Sequence, residues 1–194
     1  MIRSSILCVA TALSAAGAVA AHAQDDALAN IERLTAAGRL TDARTSLDRW
    51  NREHPPTVRL AANLRAHALL LEARLAVDPS AALAAYQAIA LSYPTTPQAP
   101  EALLRIGQGM VAAAELGPRS DTAARAASFL ERLVSDYPRS PQRAAGRLWL
   151  VRALVLAGRK DRACSVARDA LETTIGDEDV AHMLRVEFSS QCDG

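Results

Sequence analysis

Beyond position 23, few residues could act as a base, nucleophile or metal ligand. They are chiefly three histidines, His54, His67 and His182, and two cysteines, Cys164 and Cys192. None of the histidines lies four residues from another histidine or a cysteine, the spacing that sets two ligands on one helix face. The chain has no His-Glu-x-x-His, no Gly-x-Ser-x-Gly and no phosphate-binding glycine loop. A zinc site built from the two cysteines and His182 would lack a fourth ligand. Asp177-Glu178-Asp179 is too tightly spaced for a calcium loop, which needs alternating oxygen ligands around a glycine turn. The triplet reads instead as a helix start, Asp177 capping and the acids facing the positive end of the helix dipole. Enzymes need a positioned base, nucleophile or metal. The expectation is therefore no catalytic residue, no cofactor and no metal.

The compartment decides what the cysteines do. Met1-Ile2-Arg3 is a short positive start, Ile6 to Ala21 is uncharged and apolar, and Ala21-His22-Ala23 offers small residues for signal peptidase. Residues 1–23 are read as a signal peptide and 24–194 as the mature domain. A membrane anchor is the alternative, but the run is short and alanine-rich for a span. Cys8 follows Leu7 near the start of the apolar run, which is a poor lipid-attachment site. The product is expected in a bacterial periplasm, or secreted, without stable membrane insertion. In such an oxidising space Cys164 and Cys192 read as one disulfide, with two unpaired thiols as the alternative.

These few polar groups must be carried by helices. Hydrophobic residues make up 50% of the chain but aromatics only 4%. Alanine and leucine dominate, and both lose little side-chain freedom in a helix. Bases and acids nearly balance at 22 and 21, with no polybasic run, which argues against nucleic acid as a partner. The expected helices span 25–37, 41–53, 57–77, 79–92, 97–116, 120–136, 141–157, 160–174 and 178–190, with no strand.

Internal repetition organises these helices. Ala43 to Pro55, Ala82 to Pro94 and Ala126 to Pro138 align on their prolines. Large apolar residues recur at fixed places, Leu47, Tyr86 and Leu130, then Trp50, Ile89 and Leu133. Their spacing puts them on one helix face, and the proline marks the exit. His54, Tyr93 and Tyr137 each precede the proline as helix-end packing residues. Ala37-Gly38-Arg39 matches Ala157-Gly158-Arg159, with glycine in the left-handed cap position. Tyr93-Pro94-Thr95-Thr96-Pro97 matches Tyr137-Pro138-Arg139-Ser140-Pro141, where a hydroxyl should cap the next helix. Trp50, Tyr86, Phe129, Tyr137 and Trp149 are expected to pack between repeats, and Phe188 to cover the end of the stack.

On these residues the chain resembles tetratricopeptide repeat (TPR) proteins over about residues 25–175. Ala43, Ala82, Ala126 and Ala163 fall at the small-residue position that opens the second helix of each hairpin. Gly107, after Leu103 and Ile106, fits the first-helix pattern. The Tyr-Pro-x-Ser/Thr-Pro junction is similar to periplasmic bacterial members of Tol-Pal-associated and outer-membrane-assembly type. The chain departs from both, having no acceptable lipid-attachment cysteine and no N-terminal coiled coil. The resemblance implies an all-α, right-handed solenoid of about four helical hairpins plus a C-terminal capping helix. It implies a non-catalytic scaffold or adaptor in the bacterial cell envelope, with a protein or peptide partner. The concave groove would be lined by His67, Arg74, Glu101, Gln108 and Arg152. Alternatives are an accessory subunit of an envelope enzyme, or a structural subunit that assembles through its end helices.

The leader yields a direct expectation. Protein recovered from the envelope fraction should begin at Gln24 on N-terminal sequencing; a retained Met1 or a lipidated Cys8 would refute the reading of residues 1–23.

Overall fold

In the computed structural model, residues 26–117, 120–173 and 178–192 are described, except for the side chains of Phe188 and Gln191. The leader, the Asp177 cap, the middle of the Gly117–Ser120 loop and the packing of Phe188 lie outside them.

Among the described residues there are helices and no strands. They are α1 (26–36), α2 (Leu40–Glu53), α3 (Ala62–Leu75), α4 (Pro79–Ser92), α5 (Ala99–Glu115), α6 (Ser120–Asp136), α7 (Arg143–Leu156), α8 (Lys160–Thr173) and α9 (Glu178–Cys192). Among the described residues successive helices pair into four hairpins, α1/α2 to α7/α8, with α9 packed on α7 and α8 at the end. The result is an all-helical solenoid with a terminal helix.

Its turns follow from the backbone. Gly38 and Gly158 adopt φ of 72° and 73°, a region alanine enters only with strain. Around them Arg39 N–H donates to Leu34 O at 2.9 Å and Gly38 N–H to Thr35 O at 3.1 Å; Arg159 and Gly158 repeat the pattern on Leu154 and Val155. Both are the paired bonds of a Schellman cap. At the other ends of the hairpins, His54 N–H donates to Trp50 O and Tyr93 N–H to Ile89 O, each at 2.9 Å, and a proline follows.

Two expectations fail here. The segment 57–61 is not helical, and α3 starts only at Ala62. Val58 N–H closes a turn on Pro55 O, and the Arg65 guanidinium donates to the carbonyls of His54, Pro55 and Val58, which holds the segment open. The hydroxyl at the Tyr-Pro junction also behaves differently in the two copies. Ser140 Oγ accepts from Gln142 N–H at 3.1 Å, but Thr96 Oγ1 turns back and donates to Tyr93 O at 2.7 Å. Accordingly, α5 and α7 each start two residues later than expected, at Ala99 and Arg143, after a turn containing Pro97 or Pro141.

The core runs along the stack in three overlapping clusters. Leu28, Ile31, Leu47, Trp50 and Leu71 fill the first, and Leu70, Ile89 and Ala102 the second. Leu103, Ile106, Leu130, Leu133, Leu154 and Leu184 belong to the third and largest. Ala43, Ala126 and Ala163 are fully buried where a second helix meets its neighbour. Ala82 is not; it is half-buried. The chain leaves α3 through Ala76 in an extended conformation, ψ 135°, rather than through a glycine cap.

Two glycines mark the closest approaches. A Cβ on Gly107 would lie 2.5 Å from Leu130 Cγ and Cδ2, and one on Gly146 would lie 2.6 Å from Leu133 Cδ2. Leu130 is fully buried and has nowhere to turn. In an open helix position, Gly→Ala stabilises by roughly 0.5–1 kcal/mol. Overpacking of this kind costs roughly 1–3 kcal/mol. The urea midpoint should therefore fall for Gly107→Ala and rise for Gly109→Ala, whose Cβ would meet nothing within 4 Å. Equal shifts for the two would mean α5 and α6 are not this close.

Candidate functional site

The odd-numbered helices line one side of the stack. α5 touches α7 and α7 touches α9 as well as their sequence neighbours, so this row lies on the tighter, inner side of the curve. Its polar residues meet across helix boundaries.

Arg74, on α3, donates to Glu101 of α5 through Nε at 3.0 Å and Nη2 at 2.6 Å. Its Nη1 donates to Glu32 of α1 at 3.2 Å. Glu32 also lies 3.6 Å from His67 Nε2. One guanidinium thus ties three hairpins together. The forked contact matches a carboxylate in shape as well as charge. Hydrogen bonding to Glu101 raises the Arg74 pKa above its ordinary value despite partial burial. The Tyr86 hydroxyl belongs to the same neighbourhood, and burial raises its pKa.

Farther along the row, Gln108 accepts from Arg105 Nη1 at 3.3 Å. At the far end, Arg152 of α7 donates to Glu187 of α9 at 2.6 Å, and its guanidinium lies 5.0 Å from the centre of the Trp149 ring. Of the five expected groove residues, His67, Arg74 and Glu101 therefore come together through Glu32, while Gln108 and Arg152 stand apart. Glu32 and Glu187 were not anticipated. Each partners an arginine on a neighbouring odd helix, and that pairing depends on helix rotation, which no spacing within one helix reveals.

Glu101 and Arg152 have a structural part as well as a place on this face. The Glu101 side chain is only 15% exposed and that of Arg152 31%, and both join separate helices. Elsewhere the histidines are ordinary. His54 stacks on Trp50 with ring centroids 4.5 Å apart, and His182 is exposed on α9. Among the described residues no group of three or more His, Cys, Asp or Glu side chains could hold a metal ion. Cys164 of α8 and Cys192 of α9 have Cα atoms 5.7 Å apart, within the range a disulfide spans. No helix of the described residues is long and apolar enough to cross a membrane.

A solved structure carries a similar helical fold. A thermophilic TPR protein of Thermus thermophilus superposes with a TM-score of 0.53 over 88% of this chain and 92% of that one, at 19% identity. The fold is TPR-like. No family model matches the chain, and no curated protein does. At this identity the likeness to the TPR protein concerns the path of the backbone and not its surface residues.

Removing one partner of a partly buried pair leaves the other without its hydrogen bonds, at a cost of roughly 1–3 kcal/mol. Arg74→Ala should destabilise by about that much in urea unfolding. Breaking the exposed Arg39–Asp42 pair, whose side chains are 63% and 53% exposed, should cost under about 0.5 kcal/mol. Comparable losses for Arg74→Ala and Arg39→Ala would show that the inner pair is no better protected than a surface one.

Proposed function

We propose that this is an exported, non-catalytic TPR adaptor of the bacterial cell envelope that holds a polypeptide on its inner face. The row of partly exposed polar groups across the odd helices carries the reading. Glu32, His67, Arg74, Glu101, Gln108, Arg152 and Glu187 present both charge signs along one side. Partly exposed charges of this kind orient a partner and set its association rate more than they add raw affinity. The signal-like leader and two cysteines at bonding distance support export to an oxidising space.

A second reading has one observation in its favour. Met183 and Val186, three residues apart on α9, are 39% and 54% exposed. This is an apolar strip on the terminal helix, suited to a structural subunit that assembles through its end.

Site-specific photo-cross-linking separates the two. A cross-linking residue at Gln108 should trap a polypeptide in intact cells, and one at Ser128, exposed on α6, should not. Trapping at Met183 alone, with a second copy of the chain as the product, would favour end-to-end assembly. For the cysteines, labelling of the native exported protein should find no free thiol. Reduction should lower stability by roughly 3–4 kcal/mol, the chain-entropy value for a 28-residue separation. Two labelled thiols in native protein would refute the bridge.

A further inference from the structure

On the other side of the stack, a cavity of about 430 Å³ opens over α3, between α2 and α4. Pro56, Leu69, Ala88 and Tyr93 give it apolar walls, and Glu72, Asn51, Ser92, His54 and Arg65 supply its polar side. Asn51 Nδ2 donates to Glu72 Oε1 at 2.9 Å. That engages one carboxylate oxygen. Glu72 takes part in none of the ion pairs among the described residues. Arg65, in the same wall, directs its terminal nitrogens to main-chain carbonyls at 2.9 to 3.2 Å.

Glu72 is held at a cost. Burial raises its carboxyl pKa above the ordinary value, and the Asn51 hydrogen bond and the Arg65 charge offset this only in part. An acid with a raised pKa binds protons more readily in the folded chain than in the unfolded one. Ionising it therefore removes stability as pH climbs past the ordinary carboxylate range. Glu72 thus lines the cavity with a carboxylate that Arg65 influences through space but does not pair with, a setting suited to a cation from outside.

We infer that this pocket binds a primary alkylammonium group, with Glu72 Oε2 as its counter-ion and the apolar walls along its carbon stem. A guanidinium would seek both carboxylate oxygens in a fork, and Asn51 already takes up part of the acceptor capacity of Oε1. An ammonium is a compact point charge that a single oxygen can serve. Two sources share this chemistry, a free alkylamine and the side chain of a lysine in a polypeptide. The site is separate from the inner face and does not depend on its role.

The test uses the full mature chain and four probes, read by amide chemical shifts around Glu72 and Ala88. These are cadaverine, Nα-acetyl-lysine N-methylamide, its uncharged norleucine analogue, and agmatine as the guanidinium. The lysine amide or cadaverine should bind saturably, and the norleucine compound should not. Glu72→Gln should weaken binding at least about tenfold, the equivalent of losing one charge-assisted hydrogen bond, with the melting temperature unchanged or higher. Ala88→Leu, which fills the cavity from the opposite wall, should also abolish binding and leaves the carboxylate in place. Binding of both amines assigns a lysine side chain as an acceptable ligand, and binding of cadaverine alone assigns a free amine. The inference is overturned if neither amine binds, if norleucine binds as well, if Glu72→Gln binds undiminished, or if agmatine binds more tightly than both.

Discussion

Everything else in this molecule depends on how closely one helix backbone can approach the next. At Gly107 and Gly146 there is no room for even a methyl group, because Leu130 and Leu133 of α6 occupy that space. Ala126 and Ala163 extend the same seam. Close-packed interiors transmit such constraints because no void absorbs a change in volume. With α5 and α7 both drawn onto α6, the two come into contact with each other. On either side of that contact the arginines reach acids on the next odd helix, Arg74 on Glu32 and Glu101 and Arg152 on Glu187.

Those inner pairs serve the fold as well as any partner. Arg74 joins α1, α3 and α5, and Arg152 joins α7 and α9. A solenoid has only nearest-neighbour interfaces, so each bridge between adjacent units adds to cooperativity along the whole stack. The same arginines are between a quarter and a third exposed and remain within reach of solvent. A partner that supplies better acceptors has only to exchange one hydrogen-bonded carboxylate for another. Under the proposed adaptor role, affinity and stability at these positions could not be varied independently.

The sequence made the architecture legible because prolines and glycines act locally. Gly38 and Gly158 close Schellman caps wherever the chain passes, and a proline after His54, Tyr93 or Tyr137 stops the helix regardless of what lies around it. The buried apolar positions were legible for a related reason, since their period is fixed within one helix. What escaped was set between helices. The open segment 57–61 depends on Arg65 reaching back to three carbonyls, and Ala82, placed like the buried Ala43, Ala126 and Ala163, is only half-buried. The inner face was half legible. Its arginines and Glu101 occupy regular positions, but Glu32 and Glu187 acquire meaning only through helices that approach from elsewhere in the chain.

The outer side shows what packing demands and what it leaves free. The same spacing, four residues and then three, floors three successive outer grooves. On α5 these residues are Ala99, Leu103 and Ile106, all fully buried, and the groove is closed. On α7 they are Arg143, Arg147 and Leu150, where burial and the neighbouring Arg143 lower the Arg147 pKa while Thr173 accepts its hydrogen bond. On α3 they are Arg65, Leu69 and Glu72. The middle groove is the arrangement hydrophobic burial favours, and nothing in repeat geometry prevents the other two from adopting it. Each instead holds an ionisable group whose charged form burial disfavours, a base in one and an acid in the other. The middle groove shows that an apolar floor is compatible with the repeat, so the polarity of Glu72 and Arg147 is not a requirement of the solenoid.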